Sequence, residues 1–443
     1  MTFDEFTSAV FEEALRMGCT AAEVYFVEGD SAEIGVLEGE LDQYSVSHNF
    51  GLNLRVEYDG RNGYAYTETF ENPSELAKKA IDNACAIESA DAHPMQGKSE
   101  YADIPEPENP LFELDRKQRI ELAKEIERAA KAKDGRVIRV STSEIASDDS
   151  TVIIRNTLGL DAKKREALSY SLVGAILSQN GEMKNAYSFR SGEEALNIDK
   201  LVTEAVDNAA AQFGASPVAA GEYDVIIKNE AMADLLNAFS PMFSAENAQK
   251  GLSPLNGKEG ETVASELITI LDDPFYPEFA RAFDAEGVPS VKKAVVEKGT
   301  LKTLLHNLKT AKRAGVESTS NASRARLTSP IGVSPSVFYI EPGDTSYDEL
   351  VKKLGNGLII TELAGLHSGV NTVSDEFSLL ASGRLVENGE IVRSVEQITI
   401  AGSFLETMRN VDTLGSDLKF GIPVGSIIGS PSILVKGAHI SGK

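Results

Sequence analysis

Residues 228–240, KNEAMADLLNAFS, place Asn229, Glu230 and Asp234 at the start of a helical run that follows the short apolar strand YDVII. With histidines at Asn229 and Asp234 the segment would read H-E-x-x-x-H, the pattern of a metal-protease helix. Such a site needs imidazole, thiolate or carboxylate lone pairs converging at about 2.0–2.3 Å, with one coordination position left open for water. Asn229 offers only a weak amide oxygen. Glu230 and Asp234, four residues apart, share a helix face and could form a carboxylate pair. Without histidine that set holds a hard ion poorly or holds nothing. The bland reading is a core helix over 229–243 with a buried stripe of Ala231, Leu235, Ala238 and Met242, its acids near the positive helix N-terminus. The residues alone leave both readings open.

Two later segments also carry polar groups at structured positions. In FDAEGVPSVKKAVVEKGTLKTLLHNLKTAKRAG, 283–315, a hairpin from Val291 to Leu305 turning at Lys298–Gly299 delivers His306 and Asn307 to a strand end. A polar pair there lines a cavity, or it is a satisfied structural histidine with its neighbour. In ITELAGLHSGVNTVSDEFSLLASGRLVENGEIVRSVEQITIAG, 360–402, Gly365 and Gly369 flank His367, and Asn371, Ser374 and Asp375 add short polar groups to a shaped loop. The five histidines, His48, His93, His306, His367 and His439, never recur at metal-ligand spacing. No G-x-S-x-G, P-loop or dinucleotide fingerprint is present, so serine-triad and phosphate chemistry have no support.

The elements that must hold these residues follow from periodicity. Thr2 and Glu5 predict a capping box for a helix over 2–17 with Phe3, Phe6, Val10 and Phe11 on one face and Gly18 as its stop. GLNLRVEYDGRNGYAYTETF alternates Leu52, Leu54, Val56 and Tyr58, turns at Asp59–Gly60 or Asn62–Gly63, and resumes at Tyr64 and Tyr66, which predicts a hairpin. Pro73 opens a helix running to about Glu88. Pro94, Pro105, Pro107 and Pro110 make 91–110 a linker or extended surface arm. A helix over 114–133, strands RVIRVST, TVIIRNT, ALSYSLVGAIL and MKNAYSF, and a helix over 194–213 then repeat the order helix, meander, helix.

After the small-residue joint GASPVAAG, 214–221, short β-branched segments and glycine turns dominate. The opening helix and one at 346–354 are the convincing helices there. The expected fold class is α+β: an N-terminal α+β lobe at 1–90, a proline-rich linker at 91–110, a second α+β lobe at 111–213, and a β-rich, predominantly antiparallel C-terminal domain at 222–443.

Composition limits the partners. With 43 Lys plus Arg against 68 Asp plus Glu, the formal charge of −25 repels phosphate backbones, and KTAKRAG at 309–315 is too short to override it. Direct nucleic-acid binding is disfavoured. No apolar run reaches the roughly 20 residues of a membrane span, and MTFDEFTSAVFEEAL carries acids where an export signal carries bases, so no membrane and a cytoplasmic location are expected. Cys19 and Cys85 are too few for a zinc or disulfide framework, and both read as buried apolar residues.

The segments AEVYFVEGD, LRVEYDGRNGYAYTET, FDAEGVPSVKKAVVEKGTLKTLLHNLKTAKRAG, STSNASR, GLHSGVNTVSDEFSLLASGRLVENGEI and ITIAG resemble those of the TldD/PmbA family, long called modulators of DNA gyrase and classed with metalloproteases. More narrowly they resemble its PmbA (TldE) branch. The resemblance implies that the TldD branch binds zinc through an H-E-x-x-x-H helix and a cysteine in a late loop. Residues i and i+5 lie about 140° apart on a regular helix, so that site needs distortion or distant ligands.

This sequence departs at each implied ligand: Asn229 and Asp234 replace the histidines, and RNVDTLGSDLKF, 409–420, sets Leu414 where the cysteine would lie. Glu230 remains as a vestigial general base with no metal-bound water to activate. The resemblance therefore implies no cofactor on this chain, zinc on a TldD-like protease partner, and a heterodimer acting on unstructured peptides, with a homodimer when the chain is alone. His306, Asn307, His367 and Asn371 are the candidate lining of the peptide cavity. The alternatives are an independently active metallopeptidase recruiting non-local ligands such as His306, His367 or His439, and a regulatory binding protein linked to DNA gyrase.

Overall fold

The first helix starts where its capping chemistry places it. In the computed structural model, which describes residues 1–88, 91–422 and 425–442, α1 (Phe3–Arg16) opens on the Thr2–Glu5 capping box and Gly18 follows it at φ 96°. The expected domain limits at residues 90 and 443 lie outside the described residues. The strands β1 (Ala21–Leu37), β2 (Glu40–Tyr58) and β3 (Arg61–Thr67) come next, then α2 (Pro73–Cys85). Asp59 and Gly60, at φ 49° and 69°, make the turn between β2 and β3, which leaves Asn62 and Gly63 inside β3. The second helix ends at Cys85, short of Glu88.

A second pass repeats this order in α3 (Arg116–Lys133), β4 (Val137–Asn156), β5 (Asp161–Gln179), β6 (Glu182–Ser191) and α4 (Ile198–Ala210). The two passes share one antiparallel sheet, ordered β3-β2-β1-β4-β5-β6, in which the first strand of each pass pairs with the other from Glu23–Asn156 to Gly35–Glu144. RVIRVST and TVIIRNT, expected as two strands, belong to the single β4, because the residues between them stay paired with β1 and β5. The helix expected over 194–213 is a 3-10 turn at Gly192–Leu196 followed by α4.

Phe6 and Val10 of α1 and Leu76, Ala77 and Ala80 of α2 pack on Leu52, Leu54 and Val56 to make the core of the first pass. Residues 91–109 form no helix or strand, yet His93 and Asn109 are buried, so the arm is pinned near both ends. Cys19 is buried, but Cys85 is exposed, because it lies on the outer face at the last turn of α2. These elements form one compact unit, Met1–Ala211, which also contains Ala280–Ser290 and Ser323–Ile331. Within it Phe283 packs against Val152, Ile154, Leu160 and Ala162.

The second unit contains Gln212–Phe279, Val291–Ala322 and Gly332–Lys443. From residue 221 the chain forms β7 (Gly221–Ile227), α5 (Asn229–Phe239), α6 (Ala245–Gln249), β8 (Ile270–Asp272), β9 (Lys293–Glu297), β10 (Thr300–Leu301) and α7 (Leu308–Ala314). Then come β11 (Ala322–Ser323), β12 (Gly332–Val333), β13 (Val337–Ile340), α8 (Tyr347–Leu354), β14 (Gly357–Ala364), β15 (Val370–Asn371), β16 (Glu376–Glu387) and β17 (Glu390–Ser403). The last elements are α9 (Phe404–Arg409), β18 (Val411–Leu414), β19 (Lys419–Phe420), β20 (Ile427–Ser430) and β21 (Ile433–Ser441). The short helices α6, α7 and α9 add to the two expected here.

Strands β14, β7, β21, β17 and β16 pair in succession, and β16 pairs back with β14, so these strands close a ring. Closure depends on Gly383 of β16, opposite the bulge that Thr361 makes in β14, where a Cβ would lie 1.7 Å from the Ile359 carbonyl oxygen. A separate sheet runs β10-β9-β8-β13-β20-β19. The fold is therefore α+β with mostly antiparallel sheets. No helix among the described residues is long and apolar enough to cross a membrane.

Candidate functional site

The parallel pair β7 and β14 ends beside the start of α5, where Lys228 N donates to Ile360 O at 2.9 Å. Lys228 takes the N-cap position without a side-chain cap. Its role passes to a distant hydroxyl: Ser432 Oγ, in the turn from β20 to β21, accepts from Asn229 N at 3.1 Å. The core side of α5 is wider than the expected stripe. Met232, Leu236 and Phe239 join Ala231 and Leu235 in the core, whereas Ala238 is half-buried. The α-helix ends at Phe239, and Pro241 and Met242 lie in the 3-10 turn Ser240–Phe243, because proline cannot donate to the α ladder.

The polar side of this helix start is tied to the late loop. Asn229 Nδ2 donates to Asp417 O at 2.9 Å and to Asp417 Oδ2 at 3.2 Å. Asp417 Oδ2 also accepts from Ser432 Oγ at 2.7 Å and its Oδ1 from Ser432 N at 2.9 Å. Glu230 Oε1 accepts from Lys419 Nζ at 2.6 Å, and Lys228 Nζ lies 3.5 Å from its other oxygen. Among the described residues Asp234 has no such cation. Its side chain reaches solvent but is crowded by protein atoms, Gly421 among them, and this desolvation, with Glu230 and then Glu362 as like charges, pushes its pKa up to about 6.

These contacts set the chemistry. An ammonium, not an imidazole-bound cation, sits on the Glu230 carboxylate, so this glutamate is committed to an ion pair. Leu414, at the end of β18, is half-buried and packs against the core, and the late-loop residues that reach the helix are Asp417 and Lys419. Among the described residues no group of three or more His, Cys, Asp or Glu is arranged to hold a metal ion.

The other sequence candidates fall in two places. His306 is buried, and burial lowers its pKa; its Nδ1 has no hydrogen-bond partner among the described residues. Asn307 is the N-cap of α7, its Oδ1 accepting from Thr310 N at 2.9 Å and its Nδ2 donating to Gly332 O at 3.3 Å. His367 is exposed in the turn between β14 and β15. Asn371 is also exposed, and its Oδ1 accepts from Val373 N and Ser374 N at 3.0 and 3.1 Å, an Asx turn. Asp375, at φ 64°, accepts from Leu405 N and so holds the start of α9.

Sequence reasoning missed Lys228, Asp417, Lys419 and Ser432. The first is adjacent to the motif and the next two lie in the late loop, but pairing across that distance left no local signal.

Three profiles of one family match the chain: PmbA/TldA metallopeptidase domain 1 over residues 22–86, the central domain over 109–213, and the C-terminal domain over 220–442. A metalloprotease of Methanothermobacter thermautotrophicus is 28% identical over 430 residues, 93% of each chain. The metalloprotease PmbA of Escherichia coli O157:H7 is 24% identical, with 95% of this chain and 94% of that one covered. A solved Thermotoga maritima structure, named for modulation of a DNA gyrase, matches with a TM-score of 0.91 at 35% identity over 99% of this chain and 100% of that one. TldE from Thermococcus kodakarensis, at 23% identity and a TM-score of 0.89 over 99% and 100%, shares the fold.

Proposed function

The chain belongs to the PmbA/TldD metallopeptidase family, and on that premise we propose that it is a PmbA/TldE-type subunit serving a TldD-like protease that cleaves unstructured peptides. The observation that carries the reading is the 2.6 Å pair between Glu230 and Lys419. Zinc at this helix would meet an amide at Asn229, a carboxylate already holding an ammonium, and no imidazole or thiolate. The residues present do not fit the ion, so no hydrolytic step is derived through it on this chain.

In this reading zinc resides on the TldD-like partner and the assembly is cytoplasmic, with a homodimer forming when the partner is missing. The peptide cavity is lined through His306, Asn307, His367 and Asn371, the last two from exposed turns. Co-expression with the TldD-like protein of the same genome tests it. The mixture should cleave an unfolded peptide, this chain alone should not, and metal analysis should find no stoichiometric zinc on it. One tightly bound zinc per chain, with peptidase activity lost in Glu230→Gln, would overturn the proposal.

The name of the Thermotoga maritima relative keeps a second reading in play, a regulatory protein that binds gyrase. A pull-down that recovers gyrase and no TldD-like protein would favour it.

A further inference from the structure

We propose that a cleft along the outer edge of β3, within the first unit, binds a guanidinium or alkylammonium group. Its volume is about 470 Å³, within the range of about 300–1,000 Å³ for small-molecule sites. The inference does not rest on the peptidase reading, since it follows from the cleft's own chemistry.

Two close approaches build the walls. A Cβ on Gly63 would lie 1.8 Å from Ala80 O, so α2 can settle directly on β3 and bring Lys79, Asp82 and Asn83 to the rim. On the opposite sheet face, a Cβ on Gly51 would lie 2.5 Å from Leu327 Cδ2 and 2.9 Å from the Tyr66 ring, which lets the 323–331 segment lie over the sheet and present Thr328. Tyr64 and Tyr66 supply aromatic faces between these walls.

The polar groups left over are acceptors. Asn53 is 3% exposed; its Nδ2 donates to Leu327 O at 3.1 Å, which fixes the amide orientation, and its buried Oδ1 has no hydrogen-bond partner among the described residues. A buried acceptor left in that state is destabilising, and a ligand N–H would remove that cost. Asp82 is exposed at the rim on α2. Tyr66 donates its proton to Glu68 Oε1 at 2.7 Å, leaving its oxygen as an acceptor beside a carboxylate.

The cation of the rim, Lys79, is paired with Glu75 at 2.9 Å. Behind the cleft, Arg55 lies 2.7 Å from Glu23 and 3.9 Å from Glu286, so its charge is offset. The free backbone edge is partly closed: Asn83 Nδ2 occupies Tyr64 O at 2.8 Å, which argues against an added β-strand as the occupant. Acceptors, tyrosine faces and the exposed Asp82 carboxylate on a chain of charge −25 suit a flat, delocalised cation.

The test is calorimetric titration of the full chain with four probes: agmatine, spermidine, N-acetyl-arginine amide and the uncharged N-acetyl-citrulline amide. Saturable binding of at least one cationic probe is expected, with the citrulline probe bound about tenfold or more weakly, the worth of one charge-assisted hydrogen bond. Asp82→Asn and Thr328→Trp, both at exposed positions, should each weaken binding about tenfold while leaving the thermal unfolding midpoint in place. Preference for N-acetyl-arginine amide assigns the cleft to a basic residue of a peptide; preference for agmatine or spermidine assigns it to a free amine. No saturable binding, equal binding of the citrulline probe, or binding untouched by both variants overturns the proposal.

Discussion

Lys419 Nζ lies 2.6 Å from Glu230 Oε1, although 189 positions separate the two residues in the chain. The late loop thus supplies the charge that balances the helix carboxylate, and the pair is open to solvent, 28% and 38% exposed. Lys419→Met should therefore cost at most about 1 kcal/mol in a urea titration. The variant should still bind no stoichiometric zinc, since removing the ammonium creates no imidazole or thiolate. Zinc uptake at one per chain by elemental analysis would show that the lysine alone excludes the metal.

Asp272 is a different kind of carboxylate, fully buried in the second unit. It accepts from Ser336 N and Ser336 Oγ at 2.7 Å each, from Asn321 Nδ2 at 2.8 Å and from Lys293 Nζ at 2.7 Å. Asp272→Ala should lose about 3–5 kcal/mol, because it strands a largely buried ammonium and several donors. Denaturant unfolding followed by tyrosine fluorescence measures it. A loss below about 1 kcal/mol would mean that the network relaxes around the cavity.

The raised pKa of Asp234, about 6, gives a pH signature of definite sign. The folded state binds this proton more tightly than the unfolded chain, whose aspartate titrates near 3.9. The group's favourable contribution is thus complete below about pH 4 and is lost as pH rises through about 6. Asp234→Asn should gain stability relative to the parent as pH climbs from 4 to 6, then run parallel to it above 7. A carboxyl carbon titration by NMR with a midpoint near 4 would refute this.

The thiols should separate cleanly. Exposed Cys85 should react with a disulfide reagent in the native protein, whereas buried Cys19, whose pKa desolvation pushes up to about 11, should react only on unfolding. One equivalent of thiol released under native conditions and two in guanidinium is the expected count. The result would be reversed in Cys85→Ser, which should be silent until it unfolds.

What the sequence disclosed was local chemistry. The Thr2–Glu5 box, Pro73 at the head of α2 and the Asp59–Gly60 turn each act over a few residues, and each is found where the pattern puts it. Pairing over long separations was not legible. Nothing in RVIRVST or TVIIRNT says that both lie on one strand, since that depends on β5 remaining opposite throughout. The site shows the same division. Asn229, Glu230 and Asp234 are legible as a helix start, but the partners that define their state, Asp417, Lys419 and Ser432, come from loops whose approach is a property of the folded sheets. Asn307 carried a capping signal, Asn-x-x-Thr, that reads equally well as a polar strand end.

The ring of strands in the second unit has a temporal consequence. Its opening strand, β7, pairs with β21, Gly221 opposite Ile440, and β21 also bridges to β17. During synthesis the circle stays open until residues 433–441 have left the ribosome, so this half of the nascent polypeptide matures only after translation has passed them. A message truncated at codon 432 would release chains with unpaired edges on β7 and β17, prone to stick to one another, and not a smaller working protein.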